Sequence, residues 1–150
     1  MMLGMLLLAL AGCSTESNKD VMSSDSSTDA KAGQVGTRVE TSHGSYTNLQ
    51  PIELKPMLDN KDFFLVDTHI PPEGRLPKTD LRIPFDQVEE NIAEFPADKN
   101  VKIVLSCRSG RMSSEASETL LKLGYTNVYN LNGGMNDWKD AGYEIVPEGK

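Results

Sequence analysis

Apolar positions in this chain switch between two spacings from about Tyr46 onward. Pro51 stands where a first helical residue belongs. Glu53 lies in the first turn, and Ile52, Leu54, Met57 and Leu58 form an apolar stripe, which predicts a helix. Phe63-Phe64-Leu65-Val66 is a short apolar run ending at Asp67, the pattern of a buried strand. Leu81-Arg82-Ile83 reads as a second short strand. Val88, Ile92, Ala93 and Phe95 follow at helical spacing, with Pro96 as the stop. Val101–Leu105 is a strand, Ser113–Leu123 a helix closed by Gly124, and Val128–Leu131 a strand. Met135–Ala141 is a short helix closed by Gly142, and Tyr143–Val146 ends the pattern. Strands separated by helices predict an α/β fold: a parallel sheet with helices on both faces.

The preceding residues have a different texture. Ser14 to Ser45 is dominated by Ser, Thr, Asp, Gly and Lys, with few large apolar residues. Such a segment buries too little surface to offset its ordering entropy, and it reads as a disordered tether with His43 as a solvated residue. Met1–Gly12 is apolar and uncharged. It is shorter than the roughly 20 residues that a spanning helix needs, and it has the character of an export signal. Leu10-Ala11-Gly12-Cys13 resembles the lipobox of bacterial lipoproteins, although no Lys or Arg precedes the apolar run. The resemblance implies cleavage before Cys13, lipidation of its sulfur, and a lipid-anchored protein facing the cell surface or periplasm. The expected organisation is therefore a signal over 1–12, a lipidated tether over 13–45 and one folded domain over 46–150.

Composition narrows the chemistry. Fifteen Lys and Arg against 22 Asp and Glu leave a net charge of −7, a poor match to the phosphates of nucleic acid. With only Cys13 and Cys107, a disulfide scaffold is excluded, and with only His43 and His69 no zinc-type Cys/His spacing exists. Lipidation of Cys13 would leave Cys107 as the one free thiol.

That thiol sits in the most informative stretch, Ser106-Cys107-Arg108-Ser109-Gly110-Arg111-Met112-Ser113. Cys107 follows a buried strand, and a helix begins a few residues later. Ligands of open α/β sheets bind at the carboxyl ends of strands, and a short loop entering a helix turns successive backbone N–H groups inward. Ser109 and Gly110 let the backbone curl, and Arg108 and Arg111 add positive potential. These features favour an anion at the loop centre and the thiolate as nucleophile. The plain alternative is a packed Cys that happens to end a strand, beside arginines that are only surface charges.

Cys107–Ser113 resembles the active-site loop of rhodanese-like sulfurtransferase domains. Leu131-Asn132-Gly133-Gly134-Met135 with Trp138 and Gly142, and Leu123–Val128, are similar to further motifs of that family, and Asp67 resembles the Asp opening its first motif. The likeness runs from about Tyr46 to Val146. It implies a rhodanese-like sheet and sulfur transfer through a persulfide on Cys107. The small sulfur donor would be a molecule such as thiosulfate, the acceptor a thiol or cyanide-like nucleophile, and no metal or organic cofactor is implied. Substrate contacts would come from Arg108, Ser109, Gly110, Arg111, Met112 and Ser113, with Asp67 structural beside them; His69, placed after a strand end near the expected cleft, is a further candidate contact, a surface residue being the plainer reading. Three departures stand out: His69 where the family commonly has Arg, Gly74–Thr79 only echoing its Gly-His-Ile-Pro-Gly-Ala segment, and Met112 where many members have Arg. Two rivals remain. A Cys-based phosphatase needs Arg as the sixth residue after its Cys, and here that residue is Ser113. A module that binds a partner or senses redox state without turnover is the other.

Overall fold

Side-chain alternation along the central strands divides the apolar residues between two faces, and that division sets the architecture. The computed structural model describes residues 35–149, all within one compact unit. Six strands form one sheet: β1 (Thr37–Thr41), β2 (Gly44–Leu49), β3 (Phe64–Asp67), β4 (Leu81–Arg82), β5 (Ile103–Ser106) and β6 (Val128–Leu131). Their order is β1-β2-β6-β5-β3-β4. Three α-helices accompany them: α1 (Pro51–Asp59), α2 (Arg111–Lys122) and α3 (Gly134–Asp140). Leu65 and Val104 point to one face, where they pack with Leu54 and Leu58 of α1 and Met135 and Trp138 of α3. Val66, Ile103 and Leu105 point to the other, against Ala116, Leu120 and Leu121 of α2 and against Val88 and Phe95. Both faces are thus covered, as a parallel sheet requires.

The sheet differs from the sequence expectation at its edge. Residues 37–45, read from composition as tether, form β1 and the start of β2, an antiparallel hairpin with Thr41 opposite Gly44. His43 lies in its exposed turn, its N–H donating to Thr41 Oγ1 at 3.1 Å. The folded domain therefore begins well before Tyr46, and the sheet is mixed: β2 runs parallel to β6, but β1 opposes β2. Glu53 secures this addition, because its carboxylate accepts from Gly36 N–H at 2.9 Å and Gln50 N–H at 2.7 Å.

Two smaller readings also change. Val88–Phe95 is no α-helix; the segment between Pro84 and Pro96 holds two 3₁₀ turns, Phe85–Gln87 and Ile92–Glu94. Ile52 is 72% exposed and leaves the α1 stripe to Leu54 and Leu58. Tyr143–Val146, the end of the apolar pattern, contributes a single bridge, Val146 with Arg75.

Candidate active site

Strand β5 delivers Cys107 to the carboxyl end of the sheet, and α2 begins four residues later. The Cys107 side chain is 1% exposed, and its Sγ accepts two hydrogen bonds: from Gly110 N–H at 3.1 Å and from Ser113 Oγ at 3.3 Å. Gly110 makes the curl possible. Its φ of +88° is left-handed, and a Cβ there would meet Gly133 N at 3.0 Å and Leu131 O at 3.3 Å. Helix α2 directs the positive end of its dipole toward the loop.

A second helix braces the loop from behind. Met135 N–H donates to Cys107 O at 2.8 Å and Asn136 N–H to Arg108 O at 2.9 Å. These bonds turn two loop carbonyls toward the first turn of α3 and away from the cavity. On the other side, Ser106 O accepts from Thr68 N–H at 2.8 Å and from Thr68 Oγ1 at 3.0 Å. The thiol is thereby clamped to the neighbouring strand end, where Asp67 and His69 sit.

Asp67 is 1% exposed. Its Oδ1 accepts His69 N–H at 3.1 Å, and its Oδ2 accepts Arg82 Nε–H at 3.0 Å. Burial pushes its carboxyl above the ordinary Asp value, while the hydrogen bonds from His69 and Arg82 pull the other way without reversing it. Arg82 spends its remaining donors on Glu148 and on Gly74 O at 2.8 Å, which ties the chain's last described turn to this strand end. Asp67 thus joins the loop after β3 to Arg82.

Over the thiol opens a cavity of about 330 Å³, lined by Cys107, Arg108, Ser109, Arg111, Met112, His69, Ile70, Pro71 and Glu73. Six of the eight residues expected to hold sulfur or substrate, Cys107, Arg108, Ser109, Arg111, Met112 and His69, meet on this one surface. Gly110 and Ser113 lie beneath it on the sulfur. Glu73, Ile70 and Pro71 were not anticipated. Glu73 carries charge information: its carboxylate pairs with Arg108 at 3.2 Å and lies 3.7 Å from His69 Nε2. Arg111 pairs in turn with Glu115 and lies over the Phe85 ring, 5.8 Å from its centre. Both rim arginines thus meet a carboxylate. The signal for Glu73 was its place four residues after His69, in the loop leaving β3. Arg82 had no local signal. Cys13, with the signal and lipid-anchor readings, lies outside the described residues.

Residues 50–141 match the rhodanese-like domain model. The chain belongs to the rhodanese-like domain family. Among curated relatives, a protein named sulfurtransferase from Allochromatium vinosum is 38% identical over 97 residues, spanning 62% of this chain and 88% of that protein. A mouse protein named thiosulfate sulfurtransferase/rhodanese-like domain-containing protein 3 is 32% identical over 111 residues, 64% of this chain and 69% of its own. Among solved structures, a rhodanese-related protein from Thermoplasma volcanium superposes with a TM-score of 0.58 at 25% identity, covering 67% of this chain and 98% of that one. A rhodanese-like domain protein from Staphylococcus aureus gives 0.54 at 30% identity, covering 65% and 96%. The whole β1–β2 hairpin precedes the matched family segment. Lys78, in the segment that only echoes the family's Gly-His-Ile-Pro-Gly-Ala, is the one non-glycine with positive φ among the described residues, at 61°, and its Nζ donates to Leu58 O at 2.6 Å.

Proposed function

We propose that this protein is a sulfurtransferase that carries a sulfane sulfur on Cys107 from a donor such as thiosulfate to a thiol or cyanide-like acceptor. The observation that carries the reading is the seat of Cys107: a buried sulfur at a strand end, held by one backbone N–H and one hydroxyl, at the floor of an open cavity. The Cys107 thiolate attacks the outer sulfur of thiosulfate. The S–S bond of the donor breaks, sulfite leaves with the bonding pair, and Cys107 holds an anionic persulfide. Cyanide then attacks the terminal sulfur, thiocyanate departs, and the thiolate returns. Charge is conserved in both halves, and no oxidant enters. Gly110 N–H, Ser113 Oγ–H and the positive end of α2 stabilise the sulfur anion in each half, the role of preorganised donors in an oxyanion hole.

A phosphatase reading fits poorly. The sixth residue after the thiol is Ser113, whose hydroxyl is used on Sγ, and no guanidinium sits there to grip a phosphate in bidentate fashion. For the N-terminus, Leu10-Ala11-Gly12-Cys13 supports export and a lipid anchor on Cys13. Two or more acyl chains there would hold the domain at a membrane surface. A Cys13→Ala variant that still sediments with membranes would end that proposal.

Mass spectrometry after thiosulfate exposure tests the transfer. The expected result is a gain of one sulfur atom on Cys107, its removal by cyanide with release of thiocyanate, and neither in Cys107→Ser. A Cys107 that takes up no sulfur from thiosulfate, hydropersulfide or polysulfide would instead favour a binding or redox-sensing module.

A further inference from the structure

Three buried side-chain polar atoms lack a hydrogen-bond partner among the described residues, and two of them are the ring nitrogens of His69. Unpartnered polar atoms in a protein interior are costly, and where they line a cavity a ligand is the natural partner. The His69 side chain is 6% exposed and forms part of the wall above Cys107. Its main chain is fixed by the bond to Asp67 and by the neighbouring Thr68–Ser106 clamp. The ring is therefore positioned without being used by the fold.

The charged surroundings say what it is positioned for. The groups that face His69 are Glu73, whose Oε2 stands 3.7 Å from Nε2, the Asp67 carboxylate, and Cys107, Arg108 and Arg111 across the cavity. Arg108 is paired with Glu73, and Arg111 with Glu115. Positive charge at the rim is thus offset, a weak trap for a dianion. An imidazole adds something a guanidinium cannot: a proton that transfers near neutral pH. Glu73 is placed to support the ring when it carries that proton.

From this we infer that His69 is the proton carrier of thiol-to-thiol persulfide transfer, acting as acid toward the departing donor thiolate and as base toward the incoming acceptor thiol. The inference rests on the Cys107 reading above. In the first half, Cys107 thiolate attacks the outer sulfur of a hydropersulfide, RS–SH. The donor S–S bond breaks, and protonated His69 gives its proton to the leaving RS⁻, yielding RSH, neutral His69 and Cys107–S–SH. In the second half, neutral His69 takes the proton of an acceptor thiol, R′SH. The resulting thiolate attacks the terminal sulfur, R′S–SH leaves, and Cys107 thiolate and protonated His69 are restored. The Cys107 thiolate is the leaving group in that half and needs no acid, because the loop already stabilises it.

Leaving-group basicity provides the test. Alkyl thiolates are strongly basic and gain from an acid, whereas sulfite is less basic and cyanide brings no proton to remove. Wild type, His69→Ala and His69→Gln are compared on cysteine hydropersulfide with a thiol acceptor, and on thiosulfate with cyanide, after thermal melts establish that each variant is folded. The expected loss in kcat/KM for His69→Ala is about 100-fold on the thiol pair and about tenfold or less on the thiosulfate pair. His69→Gln, which hydrogen-bonds without moving a proton, fails to restore the thiol pair, and both variants show a flatter pH profile than wild type on that pair. Equal losses on the two pairs, or rescue by Gln, would overturn the inference and leave persulfide formation on Cys107 intact. If Cys107 accepts no sulfur from either donor, the transferase reading falls, and this one with it.

Discussion

Replacing Gly134 with Ala tests the bracing of the active-site loop in a way the coordinates make quantitative. A Cβ at this position would stand 2.4 Å from Cys107 O, 2.7 Å from Arg108 C and 2.8 Å from Arg108 O, all backbone atoms, and φ is +60°. The left-handed conformation alone costs a non-glycine residue about 1–2 kcal/mol. The overlap cannot be relieved by swinging a side chain aside. Either the loop backs away, stretching the Met135–Cys107 and Asn136–Arg108 bonds, or α3 shifts, and overpacking of this kind costs about 1–3 kcal/mol. The sum, about 2–5 kcal/mol, is a large part of the stability of a typical domain. Gly124→Ala is the matched control, since Gly124 also has positive φ, +90°, but nothing lies within 4 Å of its added Cβ. Urea unfolding at one pH measures both. Gly124→Ala should lose about 1–2 kcal/mol, and Gly134→Ala about 1–3 kcal/mol more. Conditions that keep both folded should show sulfur loading of Cys107 impaired in Gly134→Ala alone. Equal destabilisation in the two variants would refute the claim that α3 presses on the Cys107 loop.

Ser113→Ala removes one of the two donors on Sγ without touching the other. It should slow persulfide formation by about 100-fold, by analogy with the loss of a single oxyanion-hole donor, as read by single-turnover loading with thiosulfate. Leu65→Ala empties a site with no exposure between α1 and the sheet, and should cost about 2–5 kcal/mol in a denaturant titration. Arg82→Met strips the buried Asp67 carboxylate of its cationic partner, with an expected loss of about 3–5 kcal/mol near neutral pH. Burial already holds the Asp67 carboxyl above its ordinary value, and losing Arg82 raises it further. A carboxyl raised in the folded state contributes stability that is complete below its unfolded value and lost as pH climbs through the folded one. The gap between Arg82→Met and wild type should therefore widen from about pH 4 to pH 7, and a gap that narrows would contradict the pairing.

How far the sequence reached follows from how local each interaction is. The loop Cys107–Ser113 was legible because strand end, curl and helix start are consecutive, and the bonds onto Sγ come from residues three and six positions away. The two-faced core was legible because apolar runs in β3 and β5 have no polar face to show. Strand β1 was missed because it is an edge strand: it contributes only Val39 to the core cluster, half-buried, so its composition resembles a tether. Its visible signals were the β-branched residues in Thr37-Arg38-Val39-Glu40-Thr41 and the turn glycine, Gly44. Val88–Phe95 has helical spacing but forms only 3₁₀ turns around it, since backbone hydrogen bonding rather than apolar period decides between them.

The residues that sequence reading could not reach are those that act across the chain. Glu73 meets Arg108 over 35 positions, and Arg82 meets Glu148 over 66. The first of these, together with the local Arg111–Glu115 pair, alters the chemical expectation more than any single motif. Read alone, Arg108 and Arg111 suggest a cationic rim made for an anionic donor; with Glu73 and Glu115 attached, they supply orientation at little net charge. The rest of the cavity wall is the neutral surface of Ile70, Pro71 and Met112 together with the His69 ring. His69 and Met112, the two departures from the family pattern, lie in the same cavity. If charge sets the choice of donor here, neutralising Glu73 as Gln should raise kcat/KM for thiosulfate with cyanide by freeing Arg108, and an unchanged value would show that the arginine never reaches the donor.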